Sequence, residues 1–137
     1  MPDELVIDAS VAAKVFFTED GSEAARTLAA SGQRFSAPEF IALEIASIGA
    51  KYARKGEIDI DHGTLAIRSL SELIDHLEPV LNLSERALIL AVEHGFSVYD
   101  ASYLALAEVR QCRVVTADRK LHRRAQEAGL GALTQLL

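Results

Sequence analysis

The sequence predicts an α/β domain built on a parallel sheet, and three observations lead there. Two short runs, Leu5-Val6-Ile7 and Arg113-Val114-Val115-Thr116, have the length and β-branched content of buried strands. Such runs alternate with segments of helical composition, the pattern of βα units. One helical segment, Ala101 to Ala107, is apolar on every side, which places it inside the fold.

The chain has 137 residues, enough for one domain with one core, and no repeat, low-complexity tract or linker divides it. Half the residues are apolar and a quarter are charged, the balance of an ordinary globular protein. Cys112 is the single cysteine, so no disulfide can form within the chain, which fits a reducing, cytoplasmic setting. The start, Met1-Pro2-Asp3-Glu4, has no basic segment leading into an apolar one, so no signal peptide is expected. No apolar run approaches the ~18 residues of a membrane span. A net charge of −6 argues against a nucleic-acid binder, but weakly if the acids cluster at a metal site.

Taken in order, Leu5 to Ile7 is the first strand and Asp8 its end. A helix follows over Val11–Phe17, with Asp8 or Ser10 placed to cap it. Ser22 to Ser31 is a second helix, stopped by Gly32. Arg34 to Ala37 is a weak strand. Pro38 opens a third helix, to Arg54, because proline favours the first helical position. Phe40, Ile41, Leu43, Ile45, Ile48 and Tyr52 give that helix an apolar set, and Glu44 lies in its midst. Lys51, Arg54 and Lys55 before Gly56 make an ordinary helix end. Asp59 or Asp61 caps a fourth helix to about Leu77, with Leu65, Ile67, Leu70, Leu73 and Ile74 inward. Glu78 to Leu81 is extended. Ser84 caps a helix over Glu85–Glu93 that Gly95 ends. Next come the Asp100 helix to about Val109, the strand Arg113–Thr116, an exposed basic helix over Asp118–Ala128, and a last strand over Leu133–Leu137.

Four acids stand out from the twenty. Asp8 and Asp118 each follow a buried strand, at the carboxyl end where open parallel sheets bind ligands. Asp100 sits at the mouth of the all-apolar helix. Each aspartate alone reads as readily as a helix cap. Glu44 is harder to explain, because a glutamate among apolar residues is rare unless paired. No surplus of interior Arg or Lys is evident to neutralise four acids, whereas a hard divalent cation, Mg²⁺ or Mn²⁺, would do so.

Four segments, Val6-Ile7-Asp8-Ala9-Ser10, Pro38 to Glu44, Tyr99 to Ala107, and Val115-Thr116-Ala117-Asp118-Arg119-Lys120-Leu121, keep one order and spacing across nearly the whole chain. In these the sequence resembles the PIN-domain family, and within it the VapC-type toxins of toxin–antitoxin pairs. The resemblance implies one PIN-like domain over residues 1–137, a three-layer α/β/α sandwich around the parallel sheet. It implies a metal-dependent endoribonuclease of single-stranded or looped RNA, with Mg²⁺ or Mn²⁺ as cofactor. By carry-over, Asp8, Glu44, Asp100 and Asp118 are the catalytic and metal-binding quartet, and Ser10 and Thr116 are supporting hydroxyls. It implies a homodimer silenced by a cognate antitoxin protein. The helices Ser22–Ser31 and Pro38–Tyr52 are the surfaces first suspected of holding those partners.

Arg119, Lys120, Arg123 and Arg124 crowd the first turns of a helix, where cations run against the dipole. They form either a solvated face or a holder of RNA phosphates, which Lys51, Arg54 and Lys55 would extend. His62, His76, His94 and His122 lack a metal-ligand spacing. Cys112, Tyr99 and Tyr103 read as packing residues. Two rivals remain at this stage. A receiver-type phosphoacceptor domain needs an aspartate after its central strand and a late lysine, yet Asn82 follows Leu81 and no lysine follows Lys120. A catalytically silent PIN domain is opposed by the intact quartet.

Overall fold

The computed structural model describes residues 3–137. Five strands, β1 (Glu4–Ile7), β2 (Arg34–Pro38), β3 (His76–Glu78), β4 (Arg113–Thr116) and β5 (Thr134–Leu136), form one sheet in the order β3-β2-β1-β4-β5. Every neighbouring pair is parallel. The helices are α1 (Ala9–Phe16), α2 (Ser22–Ala29), α3 (Ile41–Arg54), α4 (Ile60–Leu73), α5 (Leu81–His94), α6 (Val98–Arg110) and α7 (Arg119–Glu127). A 3₁₀ turn over Gly131–Leu133 leads into β5.

Alternation along the strands divides the core between two faces. Leu5, Ile7 and Val115 point into one layer, with Val11, Phe17, Ile41, Ile45 and Leu70. Val6 and Val114 point into the other, with Leu83, Leu90, Leu104, Leu106 and Leu121. This period of two is the strand's own geometry. The result is a three-layer α/β/α sandwich, as expected. Helix α6 is buried at every residue from Ala101 to Ala107, in keeping with its unbroken apolar run.

The chain starts at the central strand, steps outward through β2 and β3, then returns to lay β4 against the other side of β1. The reversal lies between β1 and β4, and ligand crevices of open α/β sheets form at such a point. It also removes the receiver-type alternative, since Val80–Leu81 belongs to no central strand and Leu81 begins α5.

Several boundaries differ from expectation. Pro38 ends β2 instead of opening α3, whose first residue is Ile41. At a strand's end proline costs no ladder bond, and the next amide, Glu39 N–H, donates to Glu78 O at 2.9 Å. Helix α4 stops at Leu73 because the sheet captures the chain. Asp75 N–H donates to Phe35 O, and the Asp75 carboxylate accepts from Phe35 N–H, both at 2.9 Å. Hence β3 begins at His76 and the extended piece expected over Glu78–Leu81 is displaced. The inward face of α4 is Ala66 and Leu70, continued by Ile74, whereas Leu65 and Ile67 are exposed. Ser84 does not cap α5. Its hydroxyl donates back to Val80 O at 2.8 Å, inside the first turns. Helix α7 is not wholly exposed, since Leu121 and Ala125 are buried. Among the described residues no helix is long and apolar enough to cross a membrane.

Candidate active site

Asp8 leaves β1 in extended geometry and caps α1, its Oδ1 accepting from Val11 N–H at 3.2 Å. The Ser10 hydroxyl donates to the same oxygen at 2.5 Å. Ser10 Oγ also accepts from Ala117 N–H at 2.9 Å and lies 3.4 Å from Thr116 Oγ1. Thr116 Oγ1 in turn accepts from Asp118 N–H at 3.0 Å. The two hydroxyls therefore tie the end of β1 to the end of β4, across the point where the strand order reverses. Asp118 caps α7, its Oδ1 accepting from the amides of Lys120 and Leu121 at 3.0 and 3.1 Å. The carboxylate stays exposed.

Glu44 and Asp100 come from the helices above. Asp100 is not the cap of α6. Ser97 is, its hydroxyl accepting from Asp100 N–H at 3.1 Å. Asp100 lies in the first turn, where the helix dipole favours an anion. Glu44 is in the first turn of α3 and accepts the Tyr103 hydroxyl on Oε1 at 2.5 Å. Phe40 packs edge to face against both Tyr99 and Tyr103, with ring centroids 5.5 and 5.4 Å apart.

The charges of the four acids act on one another pairwise. Asp8 is 5% exposed, and burial pushes its carboxyl up to about 6, against the pull of Ser10, Thr116 and Val11 and with a push from Asp100. Glu44 is raised by burial first, then by the charges of Asp8 and Asp100, and Tyr103 opposes the shift. Asp100 is raised by burial and by Asp118, with Ser97 and Arg124 opposing. Among the described residues none of the four makes an ion pair. An acidic cluster left uncompensated in this way invites a cation.

The donor set suits a hard ion. Among the described residues no three His, Cys, Asp or Glu side chains converge tightly enough to cage one. A divalent ion here would be held by one or two carboxylates and keep several waters, which is the habit of Mg²⁺.

The remaining expected residues fall in different places. Arg119, Lys120 and Arg123 are exposed on α7. Arg124 is engaged with the fold, since its Nη2 donates to Gly95 O at 2.5 Å and its guanidinium lies 5.3 Å from the Phe96 ring centre. Tyr103 is buried as expected, but it also holds Glu44, a role its sequence position did not reveal. A buried tyrosine hydroxyl needs a partner, and Tyr103 lies one turn beyond Asp100, which was the available signal. Tyr99 is not core. It is 59% exposed beside Asp100. His122 turns away to Thr134, with Nδ1 2.7 Å from Oγ1.

A family model of the PIN domain matches residues 5–127. The chain belongs to the PIN-domain family. Its curated relatives include Ribonuclease VapC3 of Pyrobaculum aerophilum, 33% identical over 86% of this chain and 92% of that protein. Ribonuclease VapC9 of Mycobacterium tuberculosis is 38% identical over 85% of this chain and 87% of its own. Among solved structures, PAE2754 of Pyrobaculum aerophilum superposes with a TM-score of 0.71 at 26% identity, covering 98% of this chain and 92% of that one. The four carboxylates therefore sit within a PIN domain of VapC type, and all four fall inside the matched span.

Proposed function

We propose that this PIN domain is a metal-dependent endoribonuclease that cuts single-stranded or looped RNA, as the toxin of a toxin–antitoxin pair. The observation that carries the reading is the unpaired cluster of Asp8, Glu44, Asp100 and Asp118 at the reversal of strand order. The ribonuclease names of its relatives support it. The whole described chain forms the one nuclease domain.

Asp8 and Asp100 would hold Mg²⁺ or Mn²⁺ directly, and Glu44 and Asp118 would meet it through the waters it keeps. Such an ion supplies hydroxide near neutral pH and offsets charge on the phosphate. Ser10 and Thr116 fix the Asp8 carboxylate, and Tyr103 fixes Glu44, so that neither has to reorganise during reaction. Asp118 keeps Oδ1 on the α7 amides, which leaves its second oxygen for the site. A water oxygen bonds to phosphorus in line as the bond to the ribose 3′ oxygen breaks. The attacking water gives up one proton to solvent, and the leaving 3′ oxygen takes one up from solvent to end as a hydroxyl. The 2′-hydroxyl takes no part in this route.

Partners follow from the same reading. A second copy is expected on the outer face of α5, where Leu81, Leu88 and Val92 are exposed. The antitoxin would take the apolar groove between α3 and α4, lined by Ala46, Gly49, Ala50 and Gly63. Helix α2 offers less than its composition suggested, because Ala25 faces the core and Glu23, Arg26 and Thr27 are outward.

The test is cleavage of a structured RNA pool by purified protein in Mg²⁺, in Mn²⁺, in chelator, and by Asp100→Asn. Discrete cuts in metal that vanish with chelator and in the variant are expected. Equal cutting by the variant would assign the activity to a contaminant, and cutting in chelator would refute metal dependence. For α7, Arg119→Ala with Arg123→Ala is expected to weaken RNA affinity and flatten its salt dependence by roughly 1.4 in log–log slope if each meets one phosphate. An unchanged slope would leave these residues as a solvated face.

A further inference from the structure

A cleft of about 630 Å³ runs up to the edge of the candidate site, where Ser10 and Asp118 line it. Beyond them it is lined by Lys14 of α1, by Lys51 and Tyr52 of α3 and its C-cap Lys55, and by Glu19 and Glu57. The cations in it are not equivalent. Lys14 Nζ is engaged by Glu19 Oε1 at 3.3 Å and by Asp20 O at 2.6 Å. The Tyr52 hydroxyl donates to the other Glu19 oxygen. Lys14, Glu19 and Tyr52 thus form a closed, neutral wall.

Lys51 and Lys55 are exposed, and among the described residues neither makes an ion pair. They stand one turn apart at the end of α3, where like charges repel by a few tenths of a kcal/mol. The helix C-terminus accounts for a basic residue there, but it does not account for two that line a concave wall reaching Asp118. On the same helix Glu44 precedes them by seven and eleven residues, an axial rise of roughly 10 and 16 Å. They are too far along to touch a phosphate at the acids and well placed to touch its neighbours. In a chain of net charge −6, a polyanion reaching the acids needs such compensation.

We propose that this cleft seats the RNA strand on one side of the scissile bond, with Lys51 and Lys55 meeting flanking backbone phosphates. The inference rests on the nuclease reading and deepens it. The contacts are to the backbone, so they give register and affinity without base preference. Only the flank that occupies the cleft should be sensed.

The test pairs Lys51→Gln/Lys55→Gln with Lys51→Arg/Lys55→Arg, both at exposed positions. Binding of a short random-sequence single-stranded RNA is titrated across salt in chelator, and cleavage is followed in Mn²⁺. The Gln pair is expected to lower the log–log salt slope by about 1.4 and to raise KM about tenfold at low salt, while the Arg pair retains the wild-type slope. Substrates lengthened on one side only should gain affinity for wild type on a single flank, and the Gln pair should lose that gain. If wild type cuts RNA and the Gln pair keeps its slope, KM and flank effect, the cleft assignment is overturned and the nuclease stands. If wild type neither binds nor cuts RNA, both readings fall together.

Discussion

Asp8→Asn should give a protein that melts higher than the wild type at pH 8 and no longer cuts RNA. Burial holds the Asp8 carboxyl at about 6, against an ordinary 3.8. Between those values the folded protein keeps a proton that the unfolded chain releases. Its stability therefore falls as pH rises through that window, and above about pH 6 the full penalty is present, roughly 3 kcal/mol. Asparagine carries no charge and can still accept from Ser10 and Val11, so it should recover roughly 1–3 kcal/mol at pH 8. The advantage should shrink on acidification and vanish only below the ordinary carboxyl value of 3.8, where Asp8 is neutral in both states. Activity should drop at least about a hundredfold, as a missing ligand or charge partner at a reacting centre does. Thermal melts of both proteins at pH 4, 6 and 8, without metal, decide it. A variant less stable than wild type at pH 8 would mean that the carboxylate is structural.

Leu106→Ala should be strongly destabilising, as should Leu104→Ala, on the helix that carries Asp100. The Leu106 side chain is fully buried in α6, and a Leu→Ala cavity costs about 2–5 kcal/mol. For a chain of this length that lowers the melting temperature by about 10 °C or more. Val109→Ala, on the same helix but 64% exposed, should change stability by under about 0.5 kcal/mol. Well below its melting temperature the Leu106 variant should cut RNA at the wild-type rate, because the side chain touches none of the four acids. Loss of activity in a variant still folded by circular dichroism would show instead that α6 packing sets the position of Asp100.

The two faces of this comparison, core and site, were unequally legible in the sequence. Strands β1 and β4 announce themselves because both layers press on them and force apolar side chains at successive positions. Strand β3 lies at the sheet edge, three residues long with a histidine and a glutamate in it, so hydrophobicity had no reason to mark it. Pro38 satisfies two rules, helix start and strand end, and pairing with Glu78, forty residues on, decides between them. At the site, Asp8, Asp100 and Asp118 could be picked out from their places at element ends. What they share, and the hold of Tyr103 on Glu44 across 59 residues, is set by folding over distances that local pattern does not encode. Composition alone could not separate Arg124, stacked on Phe96, from Arg123 beside it.

The order of the strands has a consequence for how the protein comes into being. Asp8 follows β1 directly, whereas Asp118 follows β4 and caps α7. Strand β1 cannot complete its pairing until β4 emerges more than a hundred residues later. At about 5–20 residues per second that is a wait of roughly 5–20 s. Until then Asp8 has no Thr116 beneath it and no Asp118 opposite. Any chain cut short before β4 lacks Asp118 and the Thr116 that meets Ser10. On the proposed nuclease reading, the site is therefore assembled only after β4 has been made and has joined β1.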